Sequence, residues 1–144
     1  MGVIVVGVDG SNSSRQALRW AAHQAEVTGA VLDVVMTWEP LNPEAWVPHD
    51  ATQQDPLALT RRAVEAIVHE VLGAVPPVEV RARAVEGPAA KTLLAEAEQA
   101  ELLVLGNRGL GGFAGLVLGS VSMQCTAHAP CPVVVVHAGR ASSH

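Results

Sequence analysis

The chain of 144 residues contains no tyrosine, one phenylalanine and three tryptophans. It has a single lysine, Lys91, and two cysteines, Cys125 and Cys131. Each scarcity excludes a class of function. Proteins that read RNA or single strands stack bases on aromatic side chains, and these few rings are too scattered for that. Nine Lys and Arg against fourteen Asp and Glu, a net charge of −5, leave no basic face for a nucleic-acid backbone. Two cysteines cannot build a disulfide framework, and both are read as packing residues. The histidines show no HxH or HExxH spacing, so no metal site is expected. No apolar run reaches the roughly 18 residues of a transmembrane helix. The first residues lack the positive region of a signal peptide. Val6 stands where a myristoylation motif needs Ser or Thr. The reading is a soluble, cytoplasmic protein.

Apolar residues make up 49% of the chain and charged residues 16%, enough to bury a core. We expect one domain over 1–144, with a disordered tail at 138–144. Val3 to Val8 is a continuous β-branched run, the pattern of a strand covered on both faces. Ser13 and Gln16 then form a capping box, followed by a helical stripe of Ala17, Leu18, Ala21, Ala22 and Ala25. Gly29 stops that helix. Val31 to Thr37 is a second buried strand. A loop over 38–55 carries three prolines, and its Trp38 and Trp46 read as satellite core sooner than as a lid. Asp55-Pro56 restarts a helix whose inner stripe is Leu59, Ala63, Ala66, Ile67 and Val71. Val78 to Val85 alternates apolar and charged residues, the mark of an edge strand with one wet face. Gly87-Pro88 opens a third helix carrying Ala90, Leu93, Leu94 and Ala97 inward. Leu102 to Leu105 is a fourth buried strand, Ser122 to His128 a short helix and Pro132 to Val136 the last strand. The order βαβαβαβαβ implies an α/β fold with a doubly wound parallel sheet.

In such sheets ligands lie beyond the carboxyl ends of the strands, at the switch point. Two loops qualify: Asp9–Ser14 after the first strand, and Gly106–Ser120 after the fourth. The second holds six of the 13 glycines in 14 residues. Glycine admits positive φ and close approach of a backbone to a ligand. Gly119-Ser120 stands at a helix start, where free N–H groups, the helix dipole and hydroxyls converge on an anion. No lysine completes a GxxxxGK[ST] loop, and GVDGSNS after the first strand is not GxGxxG. Arg108 is open between a solvated loop residue and a phosphate contact. Ser120 and Ser122 read as helix caps whatever else they do. Asp9 is open between a cap and a ligand role.

Gly106-x2-Gly109-x9-Gly119-Ser120 resembles the ATP-binding motif G-x2-G-x9-G-[ST] of the universal stress protein family. GVDGS at 7–11 is similar to that family's first strand and its aspartate. Ser120-Val-Ser122 and Ala129 to Val136 resemble its closing helix and strand, so the likeness spans residues 3–137. The resemblance implies a single Rossmann-like sheet of order 3-2-1-4-5 flanked by four helices. It implies that ATP, with Mg²⁺ where phosphates need it, is held by Gly106, Gly109, Gly119, Ser120, Val121 and Ser122. Asp9 would stand at the nucleoside end, and the backbone of Thr37 would read the adenine edge. It also implies a homodimer, and an edge formed by Val133–Val136 would be covered in one. The function implied is a nucleotide-dependent regulatory module with an unknown protein partner. A slow ATPase or phosphotransferase, or a nucleotide-free dimeric scaffold, are the alternatives. Phosphoryl transfer wants cations and metal-binding carboxylates that the loop lacks, so no catalytic residue is assigned.

Overall fold

The first strand, β1, runs over Val3–Gly7, and its alternate side chains face two separate apolar layers. A computed structural model describes residues 2–40, 55–109 and 118–138. Most of the expected 38–55 loop lies outside the described residues, as do Trp46, Gly111, Gly112, Gly115 and tail residues 139–144. After β1 come α1 (Asn12–Thr28), β2 (Val31–Trp38), α2 (Pro56–Leu72) and β3 (Val80–Glu86). They are followed by α3 (Ala89–Ala97), β4 (Leu102–Gly106), α4 (Ser120–His128) and β5 (Val133–Val136). All strand pairs are parallel, in the order β3-β2-β1-β4-β5. This is the expected α/β, doubly wound sheet.

The two layers follow from strand periodicity. Ile4, Val6 and Val8 pack with Leu18, Ala22 and Val64 under α1 and α2. Val5 packs with Leu93, Leu103, Leu105 and Cys125 under α3 and α4. Among the described residues no helix is long and apolar enough to cross a membrane.

Three local expectations need correction. The α1 cap is Ser11, whose Oγ accepts from the Ser14 amide at 3.2 Å; Ser13 lies inside the helix. Ser11 wins because Asp9 and Gly10 already turn the chain there, with Gly10 at φ 88°. Gly29 does end α1 in the left-handed conformation, at φ 76°. In α2, Asp55 caps as expected and Ile67 and Val71 face the core as expected, but Val64 and Val68 take the inner places expected of Leu59, Ala63 and Ala66. Ala63 and Ala66 face solvent, because the larger branched side chains bury more apolar surface than the alanines they displace.

The third correction concerns β3. It is an edge strand, yet Arg83 does not simply face water. Its Nε and Nη2 donate to Asp33 Oδ1 and Oδ2 at 2.9 and 2.8 Å, and Nη2 also pairs with Glu96 on α3. Asp33 is only 7% exposed within the apolar run of β2. Hydrogen bonding to Asp33 first, and then to Glu96, raises the Arg83 pKa above its ordinary value despite partial desolvation. Nothing in the alternation of β3 distinguishes Arg83 from Arg81, which makes a looser pair with Glu79 at 3.6 Å.

The inner stripe of α2 is directly testable. Ile67 is 6% exposed and Leu59 43%. Denaturant unfolding should show Ile67→Ala losing about 2–4 kcal/mol and Leu59→Ala less than about 1 kcal/mol. Equal losses would return Leu59 to the core.

Candidate functional site

The carboxyl ends of β1 and β4 lie side by side because β1 sits between β2 and β4 in the sheet. The chain leaves these strands toward opposite faces, which opens a crevice above them. A cavity of about 430 Å³ fills it, within the range of small-molecule sites.

One end of the cavity is polar and built from backbone. Gly106 ends β4 in direct contact with the first turn of α1. A Cβ there would lie 2.7 Å from Ser13 C and 2.8 Å from Ser14 N, so only glycine fits. Ser13 Oγ donates to the Arg108 carbonyl at 2.6 Å, with Ser11 Oγ on the same oxygen at 3.3 Å. Buried Asn107 ties the other side. Its amide donates to Val136 O at 3.0 Å, and its carbonyl accepts from Gly119 N at 2.6 Å. Gly119 therefore presses on the strand exit, where a Cβ would meet Arg108 Cα and Gly109 N at 3.3 Å.

The Gly119 amide is thus already engaged. The donors offered by the start of α4 are the amides of Ser120, Val121 and Ser122, which precede the first helical bond, Met123 N to Gly119 O. Gly119 supplies no side-chain cap. Neither Ser120 nor Ser122 caps the helix: the Ser122 hydroxyl donates instead to the Gly106 carbonyl at 2.5 Å. Uncapped amides and the helix dipole present partial positive charge to the cavity.

Asp9 stands on the facing wall. Its Oδ1 accepts from Ser11 N at 2.9 Å, an Asx turn that prepares the α1 cap, while Oδ2 lies beside Gly109. Its turn-forming and cavity-facing positions coexist. The motif glycines 106, 109 and 119 have no positive φ; their missing side chains make room for protein atoms instead. The positive φ expected of these glycines is absent, and the close approach they allow is to the protein's own atoms.

The other end of the cavity is apolar. Val8 and Val35 come from the sheet, Leu105 from β4, and Ala89 and Leu93 from α3, with Thr37 at the rim. All of Asp9, Thr37, Gly106, Arg108, Gly109, Gly119, Ser120, Val121 and Ser122 line this one cavity. Sequence reasoning missed Val8, Val35, Ala89, Leu93 and Leu105 on the wall, and Asn107 as its brace. Leu93 has the same apolar signature as any core residue, and Asn107 fills an unspecified motif position.

The cysteines lie in the α3/α4 layer, and burial pushes both thiols up, away from the reactive thiolate. Trp38 is half-buried, and its indole N–H has no partner among the described residues. Those residues include no group of three His, Cys, Asp or Glu side chains able to hold a metal.

The profile of the universal stress protein family matches residues 1–137. A universal stress protein of Mycolicibacterium smegmatis is 32% identical over 151 residues, covering 98% of this chain and 50% of that protein. One of Mycobacterium tuberculosis is 37% identical over 146 residues, covering 93% and 47%. The chain therefore spans about half the length of the curated relatives it matches. Among solved structures, a universal stress protein in complex with cAMP is 28% identical with a TM-score of 0.71, covering 96% of this chain and 98% of that one. An Arabidopsis thaliana family member with AMP bound shares the fold at 19% identity and TM-score 0.65, covering 100% and 96%.

The contact at Gly106 supports the whole polar end. Gly106→Ala should destabilise the protein by about 1–3 kcal/mol, because the obstructing atoms are backbone. A shift of the urea midpoint at unchanged slope measures it; an unchanged midpoint would mean α1 stands off from β4.

Proposed function

This chain belongs to the universal stress protein family, and from that membership we propose that it binds ATP as a nucleotide-dependent regulatory module. The observation that carries the reading is the two-ended cavity. Uncapped amides of Ser120, Val121 and Ser122 meet the phosphates, and Val35, Leu93 and Leu105 hold the base. Asp9 stands toward the ribose and the Thr37 backbone toward the adenine edge. The cAMP-bound relative supports an adenine nucleotide as the ligand.

Among the described residues lining the cavity, Arg108 is the one cation and Asp9 the one carboxylate. Residues 110–117 add no charge. Mg²⁺ would accordingly enter with the phosphates, keeping water and phosphate oxygens as most of its ligands. A reactive γ-phosphoryl group needs a cationic clamp, a metal carboxylate and a positioned nucleophile, so this site favours holding over turnover. Occupancy would act by changing the surface that the cavity mouth shows to a protein partner. A second copy of the chain paired along Val133–Val136 is part of the proposal, since β5 ends the sheet with four half-buried valines.

Titrating nucleotide-free protein with ATP in a calorimeter tests the reading. A saturable heat with a matching thermal shift is expected; silence up to millimolar ATP overturns it. Gly119→Ala should weaken the affinity about tenfold, through the displaced start of α4. Phosphate release should stay below about 1 s⁻¹, and a faster rate would make the protein an enzyme. Sedimentation of the same sample should give twice the chain mass; a monomer removes the pairing.

A further inference from the structure

Helix α3 contributes Ala89 and Leu93 to the apolar end of the cavity. It is nine residues long, its N-cap is Pro88, and no side chain caps it. A helix this short is marginal by itself, so tertiary contacts decide where it lies. Its inward face carries Leu93 and the partly buried Leu94 beside the smaller Ala90, Thr92 and Ala97.

The charged cluster of β2, β3 and α3 adds a directional anchor to this apolar packing. Arg83 stands in register opposite Val35, which is a cavity wall. Asp33 precedes Val35 by two residues and so shares its face of the sheet. Glu96 follows Leu93 by three residues, on the same side of α3. The bidentate Arg83–Asp33 pair fixes the guanidinium plane, and the remaining Nη2 direction reaches Glu96. Arg83 is therefore level with the wall residue Val35, and Asp33 and Glu96 lie just below Val35 and Leu93. An ion pair whose arginine side chain is 40% exposed is a poor source of stability, since water screens the attraction. Its directional geometry suits setting a distance.

We propose that Asp33, Arg83 and Glu96 are positioning residues: their clasp holds α3 over β2 and sets the width of the base-binding end. The proposal rests on the nucleotide reading above. It gives the two ends of the cavity separate supports, the Gly106–Ser13 contact for the phosphates and the clasp for the base. Loosening the clasp must then affect the base end selectively.

The experiment uses the full chain with Glu96→Gln, Arg83→Lys and Arg83→Met. Glu96 makes one bond to Arg83, so its amide variant leaves the two Arg83–Asp33 bonds intact. Two probes are titrated, ATP and inorganic tripolyphosphate, and amide hydrogen exchange is followed in the nucleotide-free protein. Glu96→Gln should weaken ATP by about tenfold, the scale of one charged hydrogen bond. Tripolyphosphate should change less than about twofold by the same scale. Exchange over Ala89–Ala97 should quicken about tenfold, with α1 unchanged. Arg83→Met should lose more ATP affinity than Glu96→Gln, and Arg83→Lys should recover part of it. Equal losses for the two probes would make the clasp merely structural and overturn the proposal. Unchanged ATP affinity, or unchanged exchange across α3, would overturn it as well. Wild-type protein that binds neither probe overturns the nucleotide function itself, and the role in base binding falls with it. Wild-type binding with silent variants removes the clasp alone.

Discussion

The contact between the end of β4 and the first turn of α1 is the constraint on which the site depends. At Gly106 the strand meets the Ser13 and Ser14 backbone so closely that no side chain fits. That approach lets Ser13 Oγ reach the Arg108 carbonyl, which turns the chain outward after β4. Asn107, held between Val136 and Gly119, then brings the start of α4 back over the strand ends. Each step uses short bonds between groups that have little freedom. The result is a helix start whose amides face a cavity rather than a capping side chain.

The order of the sheet explains why such a contact arises there. β1 and β4 are neighbours in space but far apart in sequence, and helices leave them toward opposite faces. Any doubly wound sheet opens a crevice at that point. What this chain adds is a set of glycines at the places where main chains cross. The apolar half of the crevice needs no such device, because Val35, Leu105 and Leu93 extend the core below it.

Element order was legible in the sequence because period records it, whereas the strand order and the motif residues of the wall came with the family resemblance that the glycine spacing carries. Val3–Gly7 and Leu102–Gly106 read as buried strands from their unbroken apolar runs, and the glycine spacing marked the polar end. What escaped had no local signal. Ser11 and Ser13 are equally good caps on paper; the Asx turn of Asp9 decides between them. The α2 stripe was read correctly at Ile67 and Val71 but wrongly at Ala63 and Ala66, because alanine counts as apolar yet yields the core to Val64 and Val68. Asp33 looks like an interruption in β2, and its partner Arg83 lies 50 residues away. Pairing between strands is a tertiary fact, and helix α3 supplies the third member.

The positions most sensitive to substitution are consequently those with the least chemistry of their own. Main-chain amides at Ser120, Val121 and Ser122 persist whatever side chain each residue carries. Their placement does not, because it depends on the spaces at Gly106 and Gly119 that protein atoms occupy. A cation such as Arg108 adds attraction that water and salt screen. A displaced helix start removes several oriented donors together, and their dipoles act with the end charge of the helix on one anion. A motif written in glycine is thus a specification of distances between backbones. The ligand is recognised by what those distances leave pointing into the cavity.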